Sequence, residues 1–209
     1  MSKILVVDGH SIVRSGIRLL LKDYYGGIQI DEAQNGSTAF RKSMDTDYDL
    51  VIMEINLPNT DTFSLLENLR RMAPALPILI FSTVVQYAFV KRYLQMGVKG
   101  YLSKQAEDRE ILLAVQTILT GKKYIDQSFI DQALEDRHVA DELDPFKLLS
   151  NREFEIAQYL FKGTSVSTIA DCLNIHTSTV GTHKARIYDK LRVDNVIMLK
   201  DLAELYRLI

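Results

Sequence analysis

The sequence predicts a doubly wound α/β domain, a five-stranded parallel sheet, followed by an all-α domain. Three observations carry this. Five short β-rich runs alternate with five segments of helical periodicity over residues 4–119. Several of those runs lack polar alternation, the pattern of strands covered by helices on both faces. From residue 148 onward the periodicity is helical throughout.

In chain order, strands are expected at "ILVV" (4–7), "IQIDEA" (28–33), "LVIM" (50–53), "PILIFS" (77–82) and "GYLS" (100–103). Helices are expected at Ile12–Tyr24, Ser37–Met44, Thr62–Met72, Tyr87–Met96 and Asp108–Leu119. Sheets of this kind hold ligands beyond the carboxyl ends of their strands. Those ends carry Asp8, Glu54, Ser82 or Thr83, and Lys104, so the fold logic gathers four polar positions into one site.

After Gly121 the composition changes. "DQALEDRHVADELDPF" (131–146) holds six acids and one Arg. It reads as part of a linker over 122–147, partly helical, whose acids form a solvated face rather than a specific motif. The domains are therefore 1–121 and 148–209. In the second, Ser150 and Glu153 have the capping-box spacing before an apolar-periodic run that stops at Gly163. Helices follow at 165–173, 176–191, with Thr177 as N-cap, and 195–209. Two of them joined by "NIHT" have the separation of a helix-turn-helix.

Composition narrows the function. The chain's 209 residues are 47% hydrophobic and 25% charged, enough for a normal core. A formal net charge of −2 gives no whole-molecule field for nucleic acid or anionic membrane, so any DNA contact must come from a local patch. The single cysteine, Cys172, excludes an intrachain disulfide and reads as a small core residue. The apolar run near the start is too short for a signal peptide, and no stretch has the length of a membrane span. These features describe a soluble, cytoplasmic protein.

The stretch "LSNREFEIAQYLFKGTSVSTIADCLNIHTSTVGTHKARIYDKLRV" (149–193) resembles the LuxR/FixJ-type helix-turn-helix over nearly its whole length. The resemblance rests on Leu149, Ser150, Arg152, Glu153, Gly163, Ile169, Ala170, Leu173, Ile175, Thr179, Val180, His183, Ile187, Lys190 and Leu191. Val180, His183, Ile187 and Leu191 fall mostly on one helical stripe, which should be core. His183 is then a structural, partly buried histidine. Ser178, Gly181, Thr182, Lys184, Ala185 and Lys190 are left to meet double-stranded DNA. Residues 177–192 hold Lys184, Arg186, Lys190 and Arg192 against Asp189, a net +3 suited to phosphates. By similarity Gly181, Thr182 and Ala185 match the family's base-facing positions. They carry no Arg or Gln for bidentate readout. A homodimer on paired half-sites is expected, with its dimer face around residues 87–119 or in the last helix.

The first domain resembles the receiver of two-component response regulators, and the two domains together resemble the NarL/FixJ subfamily across the chain. The resemblance implies a Mg²⁺-bound acidic cluster, a phosphoaccepting Asp on strand 3, a Ser/Thr and a Lys that bind the phosphoryl group, and a sensor kinase or other regulatory protein as partner. Here "VVDGHS" (6–11) keeps Asp8 but has Gly9 in place of the second acid. Glu54 stands at the phosphoacceptor position. Ser82 matches the hydroxyl, Tyr101 the switch aromatic and Lys104 the lysine; His10 follows the family pattern and is assigned no chemistry.

Each departure has a chemical consequence. Mg²⁺ wants several oxygens in near-octahedral order, and Asp8 with Glu54 and the Asn56 carbonyl is a poor set. Mg²⁺ binding should be weak or absent, with Asp8 a weak metal candidate, and no other cofactor is implied. Glu54 carries its carboxylate roughly one C–C bond further out than Asp would, a costly misplacement for an attacking oxygen. Glu54 is then either a built-in, imperfect mimic of the phosphorylated state or part of a decayed site paired with Lys104. The leading reading is a DNA-binding transcription regulator with a degenerate receiver, and not an enzyme. The alternatives are a conventional phosphorelay regulator with its acceptor moved to Glu54 or Asp61, and a partner-docking module whose helix-turn-helix serves only dimerisation. A nucleotide-binding flavodoxin-like enzyme is disfavoured, because "DGHS" is no Gly-rich phosphate loop.

Overall fold

The computed structural model describes residues 2–83, 87–127, 144–206 and 208–209, with side chains described at all of these except 87–89 and 205. The chain divides into two compact units, Met1–Asp131 and Gln132–Ile209. Most of the expected acidic linker falls at 128–143, outside the described residues.

The first unit runs β1 (Lys3–Val7), α1 (Ser11–Tyr25), β2 (Gln29–Ala33), α2 (Gly36–Asp45), β3 (Leu50–Met53), α3 (Thr62–Met72), β4 (Ile78–Ser82), α4 (Tyr87–Gln95), β5 (Gly100–Ser103), α5 (Asp108–Leu119) and β6 (Tyr124–Ile125). All strands are parallel, in the order β2-β1-β3-β4-β5-β6. The sequence pattern yields five of the six. β6 is two residues long and lies where a linker was expected; Tyr101 pairs with Ile125 to extend the sheet. A strand this short has no periodicity to read.

Alternate residues of each central strand feed opposite cores. Leu5, Val7, Val51, Met53, Ile78 and Ile80 pack with Phe63, Leu66, Leu69 and Tyr93 from α3 and α4. Ile4, Val6, Leu50, Ile52, Leu79 and Leu102 pack with Ile17, Leu21, Ile111 and Val115 from α1 and α5. Both faces are dry, so these strands are apolar at every position, and each fully buried aliphatic stabilises the fold by roughly 1.5–3 kcal/mol. The strand order reverses at β1, which opens a crevice beyond the ends of β1 and β3. Asp8 and Glu54 are the first residues past those ends.

In the second unit a 3-10 turn (Pro145–Leu148) leads into α6 (Asn151–Phe161), α7 (Val166–Leu173), α8 (Thr177–Leu191) and α9 (Val196–Leu205). The Ser150–Glu153 capping box forms in both directions. Ser165 caps α7 and Asn195 caps α9. α8 departs from expectation: its N-cap is His176, with no side-chain cap bond, and Thr177 is already helical. Asn174, in the left-handed region at φ 51°, ends α7 and turns the chain toward α8. Phe146, Phe154, Ile156, Ile169, Val180, Ile187 and Leu199 are buried in this unit. Among the described residues, no helix is long and apolar enough to cross a membrane.

Candidate functional site

The strand ends bring the four expected polar residues together. Glu54 N–H bonds to the Val7 carbonyl (2.9 Å) and Lys104 N–H to the Ser82 carbonyl (2.9 Å), which fixes the β1, β3, β4 and β5 ends in register. Ser82, not the exposed Thr83, faces the site and is fully buried. Lys104 Nζ lies 2.5 Å from Asp8 Oδ2 and 2.6 Å from Glu54 Oε2. Burial alone would pull the Lys104 pKa down, but hydrogen bonds and charge from Asp8 and Glu54 outweigh it and leave it raised.

Glu54 is 4% exposed, and both its oxygens are taken. Oε2 faces Lys104. Oε1 accepts from Ser82 Oγ–H (2.5 Å), Ile55 N–H (2.7 Å) and Asn56 N–H (3.1 Å). The two backbone donors were not legible in the sequence, which suggested the Asn56 carbonyl instead. Tyr101 is buried beside this cluster; desolvation and the Glu54 charge raise its pKa, while hydrogen bonding to Ser82 opposes them.

Asp8 is 2% exposed. Its Oδ1 accepts from His10 N–H (2.8 Å) and faces His10 Nδ1 (3.1 Å). Arg14, which the sequence reading passed over, donates to the Asp8 carbonyl (2.7 Å) and to Glu32 (3.0 Å), pinning the loop after β1. The resemblance implies Mg²⁺ here, and the residues do not fit it. Gly9 offers no carboxylate, and the Lys104 ammonium already bridges the two that remain. Among the described residues no group of three or more His, Cys, Asp or Glu could hold a metal ion.

In the helical unit, Val180, Ile187 and Leu191 are buried and His183 half-buried, as the stripe predicted. Ser178, Gly181, Thr182 and Ala185 are exposed, and Lys184 is half-buried with Nζ over the Tyr188 ring at 5.4 Å. Thr182 Oγ turns back to the Ser178 carbonyl (3.0 Å). Lys190 was expected to be free for phosphate. Instead its Nζ lies 2.6 Å from Glu153 Oε2 on α6, tying α8 to α6. Glu153 is 4% exposed; desolvation raises its pKa, but bonds from Lys190 and Ser150 outweigh that and leave it lowered. Desolvation, then Arg152 and Arg186, lower the His183 pKa.

Residues 4–116 match the response regulator receiver domain family, and residues 147–203 the luxR family of bacterial regulatory proteins. Response regulator GacA of Pseudomonas syringae pv. syringae (strain B728a) is 31% identical over 204 residues, spanning 97% of this chain and 95% of that protein. The Fimbriae Z protein of Escherichia coli (strain K12) is 31% identical over 214 residues, spanning 100% and 99%. RcsB from Salmonella enterica serovar Typhimurium, solved bound to promoter rprA with the phosphomimetic BeF3−, shares the fold at a TM-score of 0.69 and 22% identity, covering 98% of this chain and 99% of that one. The chain belongs to the response regulators, with a receiver domain joined to a luxR-family regulatory domain.

Proposed function

We propose that this LuxR-type, DNA-binding response regulator works without conventional aspartyl phosphorylation, with Glu54 standing in for the phosphorylated residue. The observation that carries the reading is the saturation of Glu54. Ser82 and Lys104, which the resemblance assigns to a phosphoryl group, are both bound to its carboxylate, along with two backbone N–H groups. A carboxylate held by four donors in a buried pocket is a poor nucleophile, and with Gly9 in place of the second acid the oxygen set for a charge-neutralising Mg²⁺ is incomplete. The inward, buried Tyr101 supports the same reading. The displaced-acceptor alternative loses ground, because Asp61 is engaged in capping α3 through Ser64.

The output is DNA binding by α8. Exposed Ser178, Gly181, Thr182 and Ala185 form the groove-facing surface, with Lys184 on phosphate. RcsB has been solved as two dimers bound to two parallel DNAs, and the small base-facing residues here give a single copy little readout. We therefore assign a homodimer on DNA.

Incubation with acetyl phosphate and Mg²⁺ is expected to leave the full-length protein unlabelled and its DNA affinity unchanged. Glu54→Gln should weaken DNA binding by about tenfold, about 1.4 kcal/mol. Labelling on Glu54 overturns the reading; unchanged affinity in Glu54→Gln leaves only a decayed site. Neither Gly9→Asp nor Glu54→Asp alone should restore labelling, but the double variant should. A Cβ at Gly9 would sit 3.0 Å from Pro58 Cδ, so the loop must give by a few tenths of an ångström.

A further inference from the structure

We propose that α8 reads the C5-methyl groups of pyrimidines in the major groove, methyl against methyl, through Thr182 and Ala185. This rests on the DNA-binding reading above and deepens it by naming the chemical group the helix selects. Ser178, Gly181, Thr182 and Ala185 are spaced i, i+3, i+4 and i+7, so they share one face of the helix. All four are exposed. A Cβ built at Gly181 would meet nothing within 4 Å, so the face is open there too. The Thr182 hydroxyl donates back to the Ser178 carbonyl (3.0 Å). That bond holds the hydroxyl against the helix backbone and leaves the Thr182 methyl as the outward group. Almost one turn on, Ala185 offers a methyl and nothing else.

Such a face cannot choose a base by its hydrogen-bond pattern, as a long Arg, Asn or Gln does. The Ser178 hydroxyl is donor and acceptor at once and discriminates little. The longer side chains nearest this face, Arg186 and Asp189, come later in α8, away from the N-terminal residues that enter the groove. What a pair of outward methyls can distinguish is a third methyl, through apolar contact. Thymine presents one at C5 in the major groove. Cytosine carries hydrogen at that position unless it is methylated. Thr182 and Ala185 are about 4.5 Å apart along the helix axis. That is close to the spacing of stacked bases, about 3.4 Å, so the two methyls address neighbouring pyrimidines. The contact depends on the methyl and not on the base pair that bears it. Binding should therefore respond to cytosine methylation at the same two positions.

Duplexes enriched by the full-length chain from a random pool supply the site for the test. Each thymine is then replaced singly by uracil, which removes only the C5 methyl. At two neighbouring positions of each half-site, thymine should bind about fourfold tighter than uracil, the worth of one buried methyl. At those positions 5-methylcytosine should exceed cytosine by a similar factor. Thr182→Ser keeps the hydroxyl and loses the methyl, and should bind the thymine and uracil duplexes alike at one position. Thr182→Val keeps a methyl and loses the hydroxyl, and should retain the preference. Ala185→Gly should abolish it at the neighbouring position. Each result is a ratio of two affinities for one protein, so a variant that weakens α8 itself shifts both alike. A thymine-to-uracil ratio near one at every position overturns methyl readout and leaves DNA binding by α8 standing. So does a preference that Thr182→Ser and Ala185→Gly leave intact, or one that Thr182→Val removes. A wild-type chain that enriches no duplex overturns both readings.

Discussion

Each unit of the molecule holds a buried glutamate against a lysine at 2.6 Å, Glu54 with Lys104 in the receiver and Glu153 with Lys190 in the helical unit. The glutamates are equally buried, at 4% exposure. The lysines are not: the Lys104 side chain is 12% exposed and that of Lys190 is 37%. Lys104 also serves a second buried acid, Asp8, whereas Glu153 has a second partner, the Ser150 N–H (2.7 Å). In the receiver one cation bridges two buried carboxylates and offsets their mutual repulsion. In the helical unit one carboxylate, already fixed by the capping box, gathers in a lysine whose outer edge stays wet. The first pair is a closed electrostatic unit that fails if the cation goes. The second is a tether that positions a helix and keeps one side available to solvent or phosphate.

Removing the cation breaks the comparison most strongly. Lys104→Ala leaves Asp8 and Glu54 buried and mutually repelling, a loss of about 3–5 kcal/mol of unfolding free energy. Urea unfolding of the full chain should show it, with faster amide exchange at Val7, Met53 and Leu102. Adding Glu54→Gln to Lys104→Ala removes one of the opposed charges and should recover part of the loss. A loss below about 1 kcal/mol in the single variant would place the pair among weak surface bridges, and the closed-unit account would go with it.

Lys190→Ala is the next largest effect. It should cost the helical unit about 1–2 kcal/mol, because Glu153 keeps its Ser150 bonds but loses its charged partner. DNA affinity should drop for all sequences as α8 loosens from α6. Lys184→Ala sharpens the contrast. Lys184 pairs only with the Tyr188 ring in the described structure, so stability should hold within about 0.5 kcal/mol. The slope of log affinity against log salt should fall by about 1. If the two variants behave alike in both measurements, Lys190 is a phosphate contact first and a tether second.

Much of this was legible in the sequence because it depends on local rules. The apolar runs placed the strands within a residue or so, and Ser150 with Glu153 announced the start of α6. Asp8, Glu54, Ser82 and Lys104 could be gathered because parallel sheets put all strand ends on one edge. What escaped depends on contacts between distant residues. Lys190 read as a free cation because its partner lies 37 residues away. The Ile55 and Asn56 N–H groups carry no sequence signal as donors, since every residue but proline has one. Thr177 suits an N-cap by residue type alone, but the chain turns one residue earlier, at His176.

The smallest effect concerns pH. His183 sits on α8, one of the two helices that the Glu153–Lys190 pair joins. Its burial and the neighbouring Arg152 and Arg186 charges disfavour the imidazolium, while Glu153 favours it weakly enough that the pKa ends below the ordinary 6.5. A folded-state pKa below the unfolded one means the unfolded chain binds more protons there. The stability His183 contributes is therefore complete above about pH 6.5 and is lost as the pH falls through its folded-state value. The helical unit should loosen on acidification, ahead of the lower range where Glu153, its own pKa depressed, begins to protonate. Amide exchange at Ile187 and Leu191 in the full chain, followed from pH 7 to pH 5 and corrected for intrinsic rates, reads this directly. His183→Gln should flatten the profile over that range and leave the lower, Glu153-dependent loss in place. A wild-type profile already flat between pH 7 and pH 5 would mean that the imidazole is as well solvated in the folded chain as in the unfolded one.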